Sequence, residues 1–185
     1  ISTNNLLLKT DEIVNAGQIS ADSAVIEGKT SLQTTLTNTG KALSNTGIYL
    51  YNSLNAKNLS TLNNSGDVYV NLNASDSLSE ISVADLINNS GAYLYLGNNA
   101  SFNQTKKKKK NAGEIYVQGN GSVPLKTSIN FTKLDNSGGT LNADAATLNF
   151  SNNYQHTGKL NAMNSAAVNA KAEFTNSSTG DVNLY

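Results

Sequence analysis

The sequence is first informative through what it lacks. Its 185 residues include no cysteine and no tryptophan, and only one proline, one histidine and one methionine; all 13 basic residues are lysine. Without cysteine there is no disulfide framework, no thiolate nucleophile and no cysteine-based metal site. Without arginine there is no bidentate group for phosphate, carboxylate or guanine.

Charge and long apolar segments are also scarce. The 13 basic and 13 acidic residues give a net charge of zero at pH 7, which removes the usual electrostatic argument for binding nucleic acid or an anionic membrane. No apolar run is long enough to span a membrane, and Ile1 does not open a signal peptide. We therefore expect a soluble piece of a longer protein whose targeting signal lies elsewhere.

What the chain does contain is asparagine, with 30 residues, and serine plus threonine, with 38. Its apolar residues nevertheless recur at regular intervals, and disordered chains lack such periodicity. An Asn-x-Gly motif followed by alternating apolar residues returns about every 22 residues, as in NSGDVYV at 64–70 and NAGEIYV at 111–117. This repeat is the main evidence on the fold.

The predicted fold is all-β, because short alternating segments stand between Asn, Gly and Ser turns and no segment has the spacing or caps of a helix. A β-sandwich also has short strands, but it does not need a repeat of this period. We expect a single right-handed parallel β-helix over residues 1–185, with about eight coils of roughly 22 residues. Excursions from the coil are expected at 38–44 and 103–110.

The repeated turn residues are predicted to stack as a structural ladder along the rod. Asparagine amides can hydrogen-bond from turn to turn, and glycine accepts a positive φ. The predicted asparagine positions are Asn15, Asn45, Asn64, Asn89, Asn111 and Asn136, with His156 in the same slot. The predicted glycine corners are Gly47, Gly66, Gly91, Gly113, Gly138, Gly158 and Gly180.

Six tyrosines are predicted to point outward on four consecutive coils, because the opposite parity would expose aliphatic residues such as Ile48 and Leu94. They are Tyr49, Tyr51, Tyr69, Tyr93, Tyr95 and Tyr116. Outward rings can simply stack across neighbouring strands and stabilise the sheet. They can also form a surface for a glycan or a protein.

Five consecutive lysines form the sharpest local anomaly. If Lys106, Lys107, Lys108, Lys109 and Lys110 formed a regular strand, at least two would be buried without partners. We expect them in a solvated loop, with a basic patch for acidic glycans or lipid headgroups as the alternative.

The sequence contains no pattern typical of catalysis, of metal binding or of a cofactor. His156 occupies a turn slot, the acidic residues are scattered, and no nucleophile elbow is present. We therefore predict that the chain is not an enzyme and that it has no catalytic residues, metal or cofactor.

The repeats LTNTG, TLNNSGDVYVN, KLDNSGGTLNADAATLNF and QHTGKLNAMNSAAVNAKAEF resemble those of filamentous haemagglutinin-like exoproteins, over roughly residues 13–185. The resemblance implies a β-helix rod on a Gram-negative surface, exported with an outer-membrane transporter partner. Its role would be adhesion to a receptor or glycan of a host or neighbouring cell, or service as the stalk of a contact-dependent growth inhibition effector. The family's Asn-Pro-Asn secretion motifs are absent, so the resemblance implies an interior repeat segment.

Three alternatives share the predicted fold. The first is a dedicated receptor- or glycan-binding module that uses the tyrosine face. The second is an autotransporter passenger. The third is a polysaccharide-cleaving β-helix enzyme or phage tailspike, against which the missing arginine and the scattered acids argue.

Overall fold

The computed structural model describes residues 1–27, 34–40, 46–73, 77–106, 109–121, 126–171 and 173–185, with the backbone alone for Asn58 and Lys109. Within these ranges every regular element is a β-strand. Consequently, this part of the chain contains no helix of the length and apolarity needed to cross a membrane. The strands pair in parallel and stack into a β-solenoid of about seven turns of about 22 residues, which confirms the fold class predicted from the repeat.

Each turn of the solenoid passes along three faces. Strands β1 (Ser2–Lys9) and β3 (Gln18–Glu27) begin the first face, and β3 continues onto the second. Strand β5 (Gly47–Asn64) runs along all three faces in succession. The other strands of the first face are β6 (Asp67–Val70), β8 (Tyr93–Leu96), β11 (Glu114–Gln118), β13 (Thr140–Asp144), β16 (Lys159–Met163) and β19 (Asp181–Leu184).

The second and third faces follow the same stacking. The second face continues through the start of β7 (Ser79–Asn88), then β9 (Ala100–Gln104), β12 (Ser128–Phe131), β14 (Thr147–Phe150) and β17 (Ala167–Ala170). The third face comprises β2 (Glu12–Asn15), β4 (Thr34–Asn38), the ends of β5 and β7, β10 (Lys109–Asn111), β15 (Tyr154–His156) and β18 (Phe174–Asn176).

The core fills the space between the faces, because alternate residues of each strand point inward. On the first face, Ile48, Val68, Leu94 and Ile115 lie in one register column and are buried. Farther along, two stacked rings, Phe131 and Phe150, have centroids 5.6 Å apart in the interior. Burying one such side chain contributes roughly 1.5–3 kcal/mol, so stability grows with the number of stacked turns.

The two expected excursions are wrong in part. Asn38 ends β4, and residues 39–40 continue the turn, while residues 41–44 lie outside the described residues. At the second excursion, residues 103–104 belong to β9 and residues 109–110 to β10, while residues 107 and 108 lie outside the described residues. Gln104 explains why the coil persists there: its buried amide donates to the carbonyl of Ala84 at 2.7 Å, so the chain stays in contact with the turn below.

Candidate functional site

A buried asparagine ladder runs along one corner of the solenoid. In successive turns each Nδ2 donates to the Oδ1 of the next asparagine, at 2.7–3.0 Å. Its members are Asn15, Asn38, Asn64, Asn88, Asn111 and Asn136. The same Nδ2 atoms also donate to main-chain carbonyls, as from Asn64 to Tyr93 at 3.0 Å. Each amide thereby ties two consecutive turns together.

The predicted ladder needs two corrections. Asn45 lies outside the described residues, and the ladder position in that turn is occupied by Asn38. The prediction of Asn89 is wrong by one residue: Asn88 is fully buried in the ladder, whereas Asn89 donates to the side chains of Asn63 and Ser65 in the previous turn.

A column of small residues stands beside the ladder, where neighbouring turns approach closely. It consists of Gly17, Gly40, Gly66, Ala92, Gly113, Gly139, Gly158 and Gly180. A Cβ on Gly66 would collide with the carbonyl oxygen of Gly40, and one on Gly113 with that of Ala92. Close backbone approach therefore selects glycine at most of these corners.

Three predicted corners, Gly47, Gly91 and Gly138, are not in this column; Gly40, Ala92 and Gly139 stand there instead. Between the ladder asparagine and the corner, one extra residue is present after Asn136 and two after Asn88. Gly91 and Gly138 absorb these extra residues with φ angles of 71° and 76°. Gly47 is the first residue of β5, where the chain returns to the first face with a φ of 117°.

His156 takes the ladder position in its turn and is fully buried. Its Nε2 lies 3.2 Å from the Asp181 carbonyl, and its Nδ1 lies 3.1 Å from the Tyr154 hydroxyl. Because a carbonyl can only accept, Nε2 carries the proton and Tyr154 donates to Nδ1. Burial lowers the pKa of His156, against the raising effect of the nearby Asp181 and Gly158 backbone. The imidazole therefore acts as a neutral link between turns.

The outward tyrosines lie on the first face, with the aliphatic residues between them buried, as the alternation predicts. Tyr49, Tyr69, Tyr95 and Tyr116 share one register column, which we call the tyrosine ladder. Its successive ring centroids are 5.3, 6.1 and 6.0 Å apart, and the first pair is almost parallel. Tyr93 stands beside this column, 5.5 Å from Tyr69.

Several ladder hydroxyls already have acceptors. Tyr49 donates to the Thr46 carbonyl and Tyr95 to Gln118 Oε1, each at 2.9 Å. Burial, and secondarily the Asp144 carboxylate, raise the pKa of Tyr116. Burial also raises the pKa of Tyr93, with a smaller contribution from Glu114. These phenols therefore keep their protons at physiological pH. The neighbouring carboxylates, Glu114 and Asp144, make the electrostatic potential around them negative.

The tyrosine ladder continues as an outer asparagine ladder, Asn142, Asn161 and Asn183, in the same register column. Asn183 donates to Asn161 at 2.9 Å, and Asn161 donates to Asn142 at 2.7 Å. Asn142 in turn donates to Glu114 Oε1 at 2.7 Å. This ladder was missed from the sequence, although the repeated Leu-Asn-Ala and Val-Asn-Leu triplets at 141–143, 160–162 and 182–184 were a signal for it.

The predicted lysine patch does not join the tyrosines. Lys106 and Lys110 are exposed, and Lys110 lies in β10 on the third face, whereas the tyrosine ladder is on the first. Lys107, Lys108 and the side chain of Lys109 lie outside the described residues. The two candidate binding patches are thus separate features.

Tyr51 does not belong to the tyrosine ladder. It follows Leu50 at a register shift between β3 and β5 and borders a surface groove of about 270 Å³ formed with residues 2–4 and 20–22. Sequence reasoning included Tyr51 but missed the other residues of the groove, because their proximity depends on the stacking of three turns.

No described residues form a group of three or more His, Asp or Glu side chains able to hold a metal ion. Comparison with protein-family models, with curated proteins and with solved structures gives no match to this chain.

Proposed function

We propose that the chain is a structural and adhesive segment of a large bacterial exoprotein of the filamentous haemagglutinin-like type. The full protein is secreted to a Gram-negative cell surface through an outer-membrane transporter partner. There it is an adhesin or the stalk of a contact-dependent growth inhibition effector, and it contacts a receptor or glycan on a host or neighbouring cell.

The observation that carries this proposal is the parallel stacking of about seven similar turns, tied along one corner by the buried asparagine ladder. Such a body extends by adding turns, since each turn contacts only its neighbours. A surface protein that must present contacts at a distance from its cell needs this kind of extensible body.

The state of His156 supports a non-enzymatic role. Both ring nitrogens are engaged by neighbouring groups, and the side chain is fully buried. A general base must instead reach the proton that it removes from a substrate.

Cell attachment tests this proposal. Beads coated with the folded chain are expected to attach to host or bacterial cells more strongly than beads coated with the heat-unfolded chain. Equal attachment of the two preparations on every cell type tested would contradict an adhesive role. The stacking itself would still be measurable by circular dichroism, so loss of fold and loss of adhesion are distinguishable.

A second candidate function is that of a dedicated receptor- or glycan-binding module. The continuous row of rings on the first face favours it, because tyrosines offer rigid, amphipathic contact area at low entropic cost. Combined Tyr49→Ser, Tyr93→Ser and Tyr116→Ser changes are expected to abolish binding to cells. The matched Tyr→Phe triple variant keeps the rings and reports the contribution of the hydroxyls; full binding by the Ser variant would exclude this surface.

A further inference from the structure

A β-bulge interrupts the first face next to the tyrosine ladder. Ala21 pairs with Leu50 and Ser23 with Ser53, so β5 places Tyr51 and Asn52 opposite the single residue Asp22. A bulge of this kind bends the strand and redirects its side chains, and bulges are enriched beside functional sites.

The bulge separates Tyr51 from the neighbouring ring stack. Tyr49 stacks on Tyr69 with an interplanar angle of 8°, whereas Tyr51 has no ring partner among the described residues. Its ring instead borders the groove of about 270 Å³ that residues 2–4 of β1 and residues 20–22 of β3 complete. We call this the Tyr51 groove. It is a concave feature on a face that is otherwise covered by stacked side chains.

The polar groups of the Tyr51 groove are uncommitted, in contrast to those of the tyrosine ladder. Within the described part of the chain, the side chains of Asn4, Ser20, Asp22 and Tyr51 make no hydrogen bond or ion pair. The hydroxyls of Tyr49 and Tyr95, by comparison, both have acceptors at 2.9 Å. Hydroxyl, amide and carboxylate groups thus converge on one small groove without being required for the fold.

The chemistry of the groove selects its ligand class. A carboxylate, an amide and hydroxyls together accept and donate hydrogen bonds to a polyhydroxylated molecule, and the Tyr51 ring offers an apolar surface for the C–H groups of a sugar ring. Asp22 is the only charged lining residue, so an anionic sugar would meet an uncompensated negative charge.

We infer that the Tyr51 groove binds a neutral sugar residue of a cell-surface glycan. Asp22 and Asn4 hydrogen-bond the sugar hydroxyls, and the Tyr51 ring packs against the sugar ring. The site does not depend on the rod role proposed above, since the turns stack in the same way whether or not the groove is occupied.

A glycan array carrying neutral, sialylated and sulfated glycans tests the site with the labelled, folded chain. Binding is expected on neutral glycans, and titration with the best of them is expected to show at least tenfold weaker affinity for Tyr51→Ala and for Asp22→Asn. Tyr185→Ala, at an exposed tyrosine outside both the groove and the tyrosine ladder, and Asp85→Asn on the third face serve as matched controls, with affinity unchanged.

The site is overturned if no neutral glycan binds, if only anionic glycans bind, or if the Tyr51 and Asp22 variants bind like their controls. Asp22→Asn preserves side-chain size at an exposed position, so its melting temperature is expected to equal that of the unchanged chain and its result is independent of folding. Bead attachment by the Asp22→Asn variant distinguishes the two proposals. If beads coated with this variant still attach to cells, the adhesive role of the rod is retained even where the groove proposal is overturned.

Discussion

Two columns of side chains run along the same solenoid, one inside a corner and one on the first face. The inner column, the buried asparagine ladder, keeps asparagine through six turns, and the buried His156 takes its place in the next turn. The outer column changes from four tyrosines to three asparagines without disturbing the backbone register. A repeat position therefore tolerates variation on the outside and is strict on the inside.

The difference follows from access to water. A buried amide that loses its partner cannot replace it with solvent, which costs about 1–3 kcal/mol for each unsatisfied group. On the outside, an aromatic stack and an amide ladder are both adequate links between strands, each with a contribution of roughly 0.2–1 kcal/mol per pair. Residue type can therefore vary in the outer column while the inner column stays fixed.

The largest loss of stability is expected from a substitution in the inner column. Asn88→Ala removes the donor to Asn111 Oδ1 and the acceptor of Asn64 Nδ2, and we expect a loss of about 3 kcal/mol in the free energy of unfolding. Asn161→Ala in the outer ladder is the matched control, with an expected loss below about 1 kcal/mol. Urea denaturation measures both; similar losses would refute the distinction between the columns.

A somewhat smaller effect is expected at the corner that holds the inner column in register. Gly66→Ala places a Cβ against the Gly40 carbonyl, which we expect to cost about 2–3 kcal/mol through overpacking. Gly17→Ala is the control, because nothing lies within 4 Å of a Cβ built there. Thermal unfolding followed by circular dichroism compares them, and equal melting temperatures would argue against close approach at the corner.

A substitution in the outer column tests how much the ring stack contributes to stability. Tyr69→Ala removes the ring that stacks on Tyr49 and contacts Tyr93 and Tyr95. We expect a loss of about 1–2 kcal/mol in unfolding free energy. Tyr69→Phe retains the ring and is expected to stay within about 0.5 kcal/mol of the unchanged chain. If both variants lose the same amount, the hydroxyl and not the stack is responsible.

The smallest effect concerns pH at the histidine that interrupts the inner column. Burial lowers the pKa of folded His156 below its ordinary value of 6.5, so the unfolded chain binds the proton first as pH falls. The stability is therefore complete above about pH 6.5 and decreases below it. His156→Asn is expected to reduce this decrease. Melting temperatures between pH 7.5 and 5 measure it, and an identical slope in the variant would exclude His156 as the source.

Much of the fold could be predicted because alternation encodes which side chain faces inward. Ile48, Leu50, Leu94 and Leu96 fix the parity of their strands, and the tyrosines between them then face outward. The same logic works wherever one face of a strand is apolar and the other polar.

The exact ladder positions could not be obtained in this way. Asn88 and Asn89 are adjacent and chemically identical, so only the pairing of β7 with β5 and β10 decides which one enters the ladder. The Tyr51 groove depends in the same way on a bulge between β3 and β5 and on the position of β1. Such features are set by contacts between turns, and local sequence carries little information about them.

Side-chain amide hydrogen exchange, followed by NMR, tests the division between the two columns most directly. We predict slow exchange for the Nδ2 protons of the buried Asn38, Asn64, Asn88 and Asn111, and exchange at least tenfold faster for those of the partly exposed Asn161 and Asn183. Equal exchange rates in the two groups would contradict this division.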